Sequence, residues 1–188
     1  MYHTTEYLGL FIRGENDEPV AIGKQVERSD EIPEGCCTLT VAVFVMNSQG
    51  QILMTLRAPE KEAWPNYWEN SGGAAKAGES SREAIRRELR EETGIDAAED
   101  EFVLIAHRWF EKSALDVYLL RRDIPIEAIR LQPGETADAR WCTVPEYEKV
   151  IADGLMAGPI AERYLDLRET ILDFLNRWHN PQSQAHIR

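Results

Sequence analysis

Glu88, Glu91 and Glu92 are spaced so that one helical turn carries three carboxylates on one side. Like charges at that spacing cost about 0.2–0.5 kcal/mol per pair, so a chain that keeps them has a use for a cation among them. Arg87, four residues before Glu91, supplies part of that charge. Three carboxylates in one turn suit a hard divalent cation, Mg²⁺ or Mn²⁺. Ile85 and Leu89 are four apart and anchor the opposite side to a core. Glu83, one turn further back, faces outward. Gly73 to Gly78 reads as a flexible loop before the helix, and Glu79 adds a carboxylate where the two meet. A solvated acidic face braced by Arg–Glu pairs is the alternative to a metal site.

The helix that must hold these acids spans 80–93, with Glu79-Ser80-Ser81 as capping chemistry and Gly94 as the stop. Around it the chain alternates short strands and helices. Strands are expected over 6–13, 20–27, 38–46, 51–57, 67–71, 101–110, 115–121 and 139–143. Helices are expected over 145–152, opened by Pro145, and over 159–178. The stretch 122–135 reads as a long irregular connection, and the tail from Asn180 as polar and frayed. This order argues for an α/β layered domain, and the hairpins for a mixed sheet. Neither G-x-G-x-x-G nor G-x-x-x-x-G-K-[ST] occurs, so no dinucleotide or P-loop site is indicated.

Length and charge bound the function. The 188 residues suit one domain. The longest run drawn only from apolar and aromatic residues, Val41 to Met46, falls far short of the roughly 20 that a membrane span needs. The opening residues, with no basic patch followed by an apolar block, are not expected to act as a signal peptide. A net charge of −12 argues against nucleic acid and anionic membranes, while leaving room for a small anionic substrate whose charge a cation neutralises. Cys36, Cys37 and Cys142 are odd in number and include an adjacent pair, so they read as reduced, buried thiols in a cytoplasmic protein. His3, His107, His179 and His186 show no ligand spacing.

Residues 73–95 match Gly-x5-Glu-x7-Arg-Glu-φ-x-Glu-Glu-x-Gly-φ at all nine fixed positions, φ being aliphatic. These are Gly73, Glu79, Arg87, Glu88, Leu89, Glu91, Glu92, Gly94 and Ile95. The pattern is that of the Nudix box, and the chain resembles a Nudix hydrolase. The resemblance implies the family's α/β/α sandwich with a mixed sheet: a single domain over 1–188, with a hairpin extension (1–35), a core (36–158), a C-terminal helix (159–179) and a tail (180–188). It implies that Glu88, Glu91 and Glu92 bind divalent metal, with the Gly73 carbonyl in reach. Arg87 then orients the glutamates, and Glu79 is metal-linked or structural. The implied reaction is hydrolysis of a diphosphate linkage in a nucleoside diphosphate joined to another group. The base varies within the family. Glu91 in the box and Glu135, in the loop before Trp141, are the candidates here, with Glu135 ahead of Asp138.

Upstream, Arg57, Lys61, Trp64-Pro and Trp68-x-Asn-Ser are similar to the isopentenyl-diphosphate isomerase branch of the same family. That likeness implies that Arg57 and Lys61 contact a substrate diphosphate. Trp68 and Trp64 flank the expected cleft, where one could stack on a base; Trp109, Trp141 and Trp178 read as core. The branch's cysteine and metal-binding histidine are replaced by Gly72 and Ala74. Only Asn70 and Ser71 in that stretch could begin to move a proton. The expected activity is therefore a metal-dependent pyrophosphohydrolase on a small diphosphate substrate. An isomerase-like enzyme and a non-catalytic nucleotide-sensing module are the alternatives. The long terminal helix leaves a homodimer open.

Overall fold

The segment 38–46, TLTVAVFVM, is β-branched and apolar, and it forms a strand with almost every side chain out of water. A computed structural model describes residues 6–179. The expectations for the first five residues, for the tail from 180 and for the side chains of Trp178 and His179 lie outside the described residues. The strands are β1 (Tyr7–Arg13), β2 (Pro19–Glu27), β3 (Thr38–Met46), β4 (Gln51–Arg57), β5 (Trp68–Glu69), β6 (Gly72–Ala74), β7 (Val103–Trp109), β8 (Ser113–Arg121) and β9 (Thr136–Thr143). The helices are α1 (Ser81–Thr93), α2 (Val144–Ala152) and α3 (Gly158–His179). β1 and β2 make a two-stranded sheet. The larger sheet runs β5-β4-β3-β8-β7, with β6 added on β3 and β9 on β4. Helices and a mixed sheet make this an α/β fold.

Contacts among the described residues gather into two units. The first takes the chain up to Val43, Gly72–Arg90 and Asp96–Tyr118; the second takes Phe44–Ser71, Glu91–Ile95 and everything from Leu119. In the first, β1 pairs antiparallel with β2, and β6 pairs antiparallel with β3 through Thr40↔Ala74, Val41↔Gly73 and Ala42↔Gly72. Ala84, Ile85 and Leu89 of α1 are fully buried. In the second, β4 holds β5 on one register and β9 on another, the latter running from Gln51↔Thr143 to Arg57↔Thr136 with a register shift between Leu56 and Arg57. Tyr147 of α2, Tyr164 of α3 and Phe44 form an aromatic cluster there.

Two departures from the expected elements matter. Gly73 belongs to the short strand β6, not to a flexible loop: a glycine pair lets the backbone lie flat against β3, and single-residue patterning carries no trace of that. β9 starts at Thr136, three residues before the expected strand, because its pairing with β4 carries polar residues into the ladder.

Candidate functional site

Helix α1 begins with a capping box. The Ser80 hydroxyl accepts from the Glu83 amide at 3.2 Å, and Glu83 Oε2 accepts from the Ser80 amide at 2.7 Å. Glu83 is exposed, as expected. Gly94 closes the helix at φ +72°, a conformation that favours glycine. Between these ends, Glu88 and Glu92 are half-buried and Glu91 is exposed.

Arg87 organises the first half of the box. Its Nε and Nη2 donate to the two oxygens of Glu79 at 2.6 and 2.9 Å, its Nη1 lies 2.8 Å from Glu88 Oε1, and Nη2 also donates to the Ala74 carbonyl at 3.0 Å. Such a planar fork can serve two carboxylates at once. Burial works against the Arg87 charge, yet its bonds to Glu79 and Glu88 prevail and hold it firmly protonated. Burial likewise pushes Glu79 up, but Arg87 and the Lys76 amide, which donates to Glu79 Oε2 at 2.8 Å, leave its carboxyl below the ordinary value.

Gly73 lies directly under Glu88. A Cβ placed on Gly73 would come within 3.0 Å of all three atoms of the Glu88 carboxylate. The absent side chain is thus what lets that carboxylate rest on the β6 backbone. Among the described residues, no three Asp, Glu, His or Cys side chains converge as placed on one ion position; Glu88 pairs with Arg87, and Glu91 is exposed. The donor set nonetheless has the chemistry of a hard cation site: three carboxylates within about one helical turn.

Gly72 is more constrained still. A Cβ there would sit within 3.0 Å of the Val41 carbonyl in the paired strand. No side chain fits, so the position has no room for the cysteine of the isomerase branch. Asn70 is buried and fully occupied: its amide donates to the Leu53 carbonyl at 3.2 Å, and its oxygen accepts from the Tyr147 hydroxyl at 2.6 Å. Ser71 is buried as well. Neither is presented to a ligand.

The second unit brings Arg57, Lys61 and Glu135 together. Arg57 Nη1 pairs with Glu69 Oε2 at 2.7 Å, both side chains being more than four-fifths buried, while Arg57 Nε donates to the Ala63 carbonyl at 2.9 Å. Lys61 pairs with Glu135. Trp68 is half-buried, and the Arg140 guanidinium lies 4.3 Å from its ring centroid, so one face of this ring is already engaged. Asp138, the second loop acid, is exposed.

Sequence reasoning did not find Glu69 or Arg140. Glu69 lies beside Thr55 in the β4–β5 register, diagonal to Arg57, and that long-range pairing is invisible along the chain. Burial pushes the Glu69 carboxyl up, and Arg57 only partly offsets this. A glutamate inside a short strand flanked by Trp68 and Asn70 was the available signal. Trp109 and Trp141 correct the expectation of core positions: both are half-buried and use their indole N–H, on the Asp17 and Ile124 carbonyls respectively. His107, left unassigned, contacts the buried Asp116 at 2.6 Å, and Asp116 in turn accepts from Ser81. A cleft of about 640 Å³ in the first unit runs between Phe11, Lys24 and Gly78; of its two acids, Glu79 and Glu83, the first is held by Arg87.

Comparison with known proteins places the chain in a family. The family model of the NUDIX domain matches residues 38–162. An uncharacterized Nudix hydrolase of Listeria monocytogenes is 34% identical over 142 residues, covering 74% of this chain and 83% of its own. An isopentenyl-diphosphate Delta-isomerase of Paenarthrobacter aurescens is 32% identical over 132 residues, covering 65% and 68%. A crystal structure of a Deinococcus radiodurans protein superposes with a TM-score of 0.64 at 28% identity, covering 93% of this chain and all of that one. The chain belongs to the Nudix hydrolase family. It is also related to isopentenyl-diphosphate isomerases, the branch that the Arg57-to-Ser71 residues resemble.

Proposed function

We propose that the chain hydrolyses a diphosphate linkage in a nucleoside diphosphate joined to another group, or in a related diphosphate compound. The observation that carries this reading is the acidic helix with every box acid kept and Arg87 bridging Glu79 and Glu88. Glu88, Glu91 and Glu92, with the Gly73 carbonyl, are the residues that would hold Mg²⁺ or Mn²⁺. When bound, such an ion neutralises phosphate oxygens and lowers the pKa of a water molecule. Arg87 holds Glu88 in register so that this carboxylate need not be organised at the moment of reaction. Arg57 and Lys61 grip the phosphates, and Trp68 packs against the remainder of the substrate.

Water oxygen attacks one phosphorus, the bridging P–O bond breaks, and a carboxylate takes the proton. Glu135 is the proposed base, with Glu91 as the second candidate. The crowding at Gly72 and the occupied Asn70 support hydrolysis over isomerisation, because no proton donor or acceptor remains in 70–75 to serve a carbon skeleton. Free thiols at Cys36, Cys37 and Cys142 support a reducing, cytoplasmic setting.

A screen for phosphate and pyrophosphate release tests this. A panel of nucleotide sugars, dinucleotides, nucleoside triphosphates and isoprenoid diphosphates is run with Mg²⁺, with Mn²⁺ and with chelator. Metal-dependent release from one class, lost in Glu91→Gln and Glu92→Gln, is expected. No release from any class by a folded, metal-binding chain would overturn the hydrolase and favour a sensing module.

A further inference from the structure

Two ion pairs lie at the same end of β4, and they are built differently. Arg57–Glu69 is sealed: the two side chains keep only 17% and 13% of their exposure. Removing Arg57 from Glu69 would leave a buried carboxylate unpaired, which is costly. Lys61–Glu135 is open, at 26% and 43%. A partly exposed pair of this kind separates at less cost than the sealed one, because water reaches both charges.

The backbone makes the separation harmless. The Glu135 carbonyl accepts from the Ala58 amide at 2.9 Å, the Glu135 amide donates to the Gln132 carbonyl at 3.1 Å, and the Lys61 amide donates to the Ala58 carbonyl at 3.2 Å. Both loops are thereby pinned independently of their side chains. Glu135 also immediately precedes the Arg57↔Thr136 pair, where the β4–β9 register shifts. Such a shift commonly re-aims side chains near functional sites. Arg57 is committed through Nε and Nη1, leaving its Nη2 edge with no hydrogen-bond partner among the described residues.

We propose that Glu135 is the exchangeable counter-ion of Lys61: a diphosphate displaces it from the ammonium, while Arg57 stays with Glu69 and offers only Nη2. This rests on the reading of Arg57 and Lys61 as diphosphate-binding. A diphosphate carries more charge than the carboxylate it replaces, so it wins the exchange, whereas a singly charged ligand does not. The pair is then a threshold that turns away singly charged ligands. The exchange also releases the Glu135 carboxylate only when substrate is seated, which is when a base is needed.

The test measures binding of methylenediphosphonate, whose P–C–P bridge resists hydrolysis, to the full chain at fixed free Mg²⁺. Lys61→Met is expected to weaken binding about tenfold. Glu135→Gln is expected to tighten it roughly two- to fivefold, the strength of an exposed pair returned to the ligand. In the Lys61→Met background, Glu135→Gln should change nothing. A structural role for Glu135 cannot produce tighter binding. If Lys61→Met weakens binding but Glu135→Gln does not tighten it, the exchange is overturned and the diphosphate reading stands. If Lys61→Met leaves binding unchanged, or the unaltered chain binds nothing, both fall.

Discussion

The Glu88 carboxylate fills the space that a side chain at residue 73 would need. A methyl group on residue 73 collides with the far end of a flexible side chain, not with backbone, so Glu88 swings away and the strand survives. Gly73→Ala should therefore keep its melting temperature while its Mn²⁺ affinity drops about 10- to 100-fold, the usual cost of disturbing the surroundings of a metal ligand. Titration calorimetry beside a thermal melt checks this, and unchanged Mn²⁺ affinity would remove Gly73 and Glu88 from the metal site. One residue earlier the outcome is opposite. At Gly72 the collision is with the Val41 carbonyl of the paired strand, which cannot give way. Gly72→Ala should cost several kcal/mol, on the order of the largest single-residue effects, and lower the yield of folded protein.

At the level of elements, the Arg87–Glu79 fork ties the turn after β6 to the middle of α1. Glu79 titrates below its ordinary value of about 4.5, since burial, which raises it, is outweighed by Arg87 and the Lys76 amide. A carboxyl with a lowered folded pKa contributes stability that is complete above the unfolded value and lost as pH falls through the folded one. Glu79→Gln should then destabilise the chain by about 1–3 kcal/mol near neutral pH, the worth of hydrogen bonds to a charged group. The gap to the unaltered protein should close below about pH 4. Urea melts across that range provide the measurement; a gap independent of pH would show that the fork contributes only packing. β6 itself was illegible beforehand. Gly72-Gly73-Ala74 has no β-propensity, and its strand exists because β3 offers a partner.

For the whole molecule, the net charge of −12 and the proposed cation site on α1 lead to the expectation that a divalent cation is a stabilising ligand. At about 100 times its Kd such an ion adds about 2.7 kcal/mol. For a chain of this size that raises the melting midpoint by about 5–10 °C. Calorimetry with Mg²⁺ or Mn²⁺ should show this shift, and Glu92→Gln should reduce it to that of NaCl at matched ionic strength. Among the described residues, no helix is long and apolar enough to cross a membrane.

The acids of α1, its capping serine and its terminating glycine were all legible along the chain, because a helix repeats every 3.6 residues and brings i, i+3 and i+4 together by itself. The buried face of Ile85 and Leu89 and the long apolar strand β3 followed from the same local periodicities. Those local rules, with the box spacing, determined the family and the chemistry to expect. The partners of those residues had to wait for the fold. Glu69 beneath Arg57, Glu135 beside Lys61, Arg140 over Trp68 and the strand at Gly73 each join residues distant in sequence through strand pairing or loop packing. Register is set by which strands meet and which faces are buried, and no short stretch of sequence encodes that. Sequence thus determined which groups could do the work; tertiary structure decided which of their charges are sealed in pairs and which remain open to exchange.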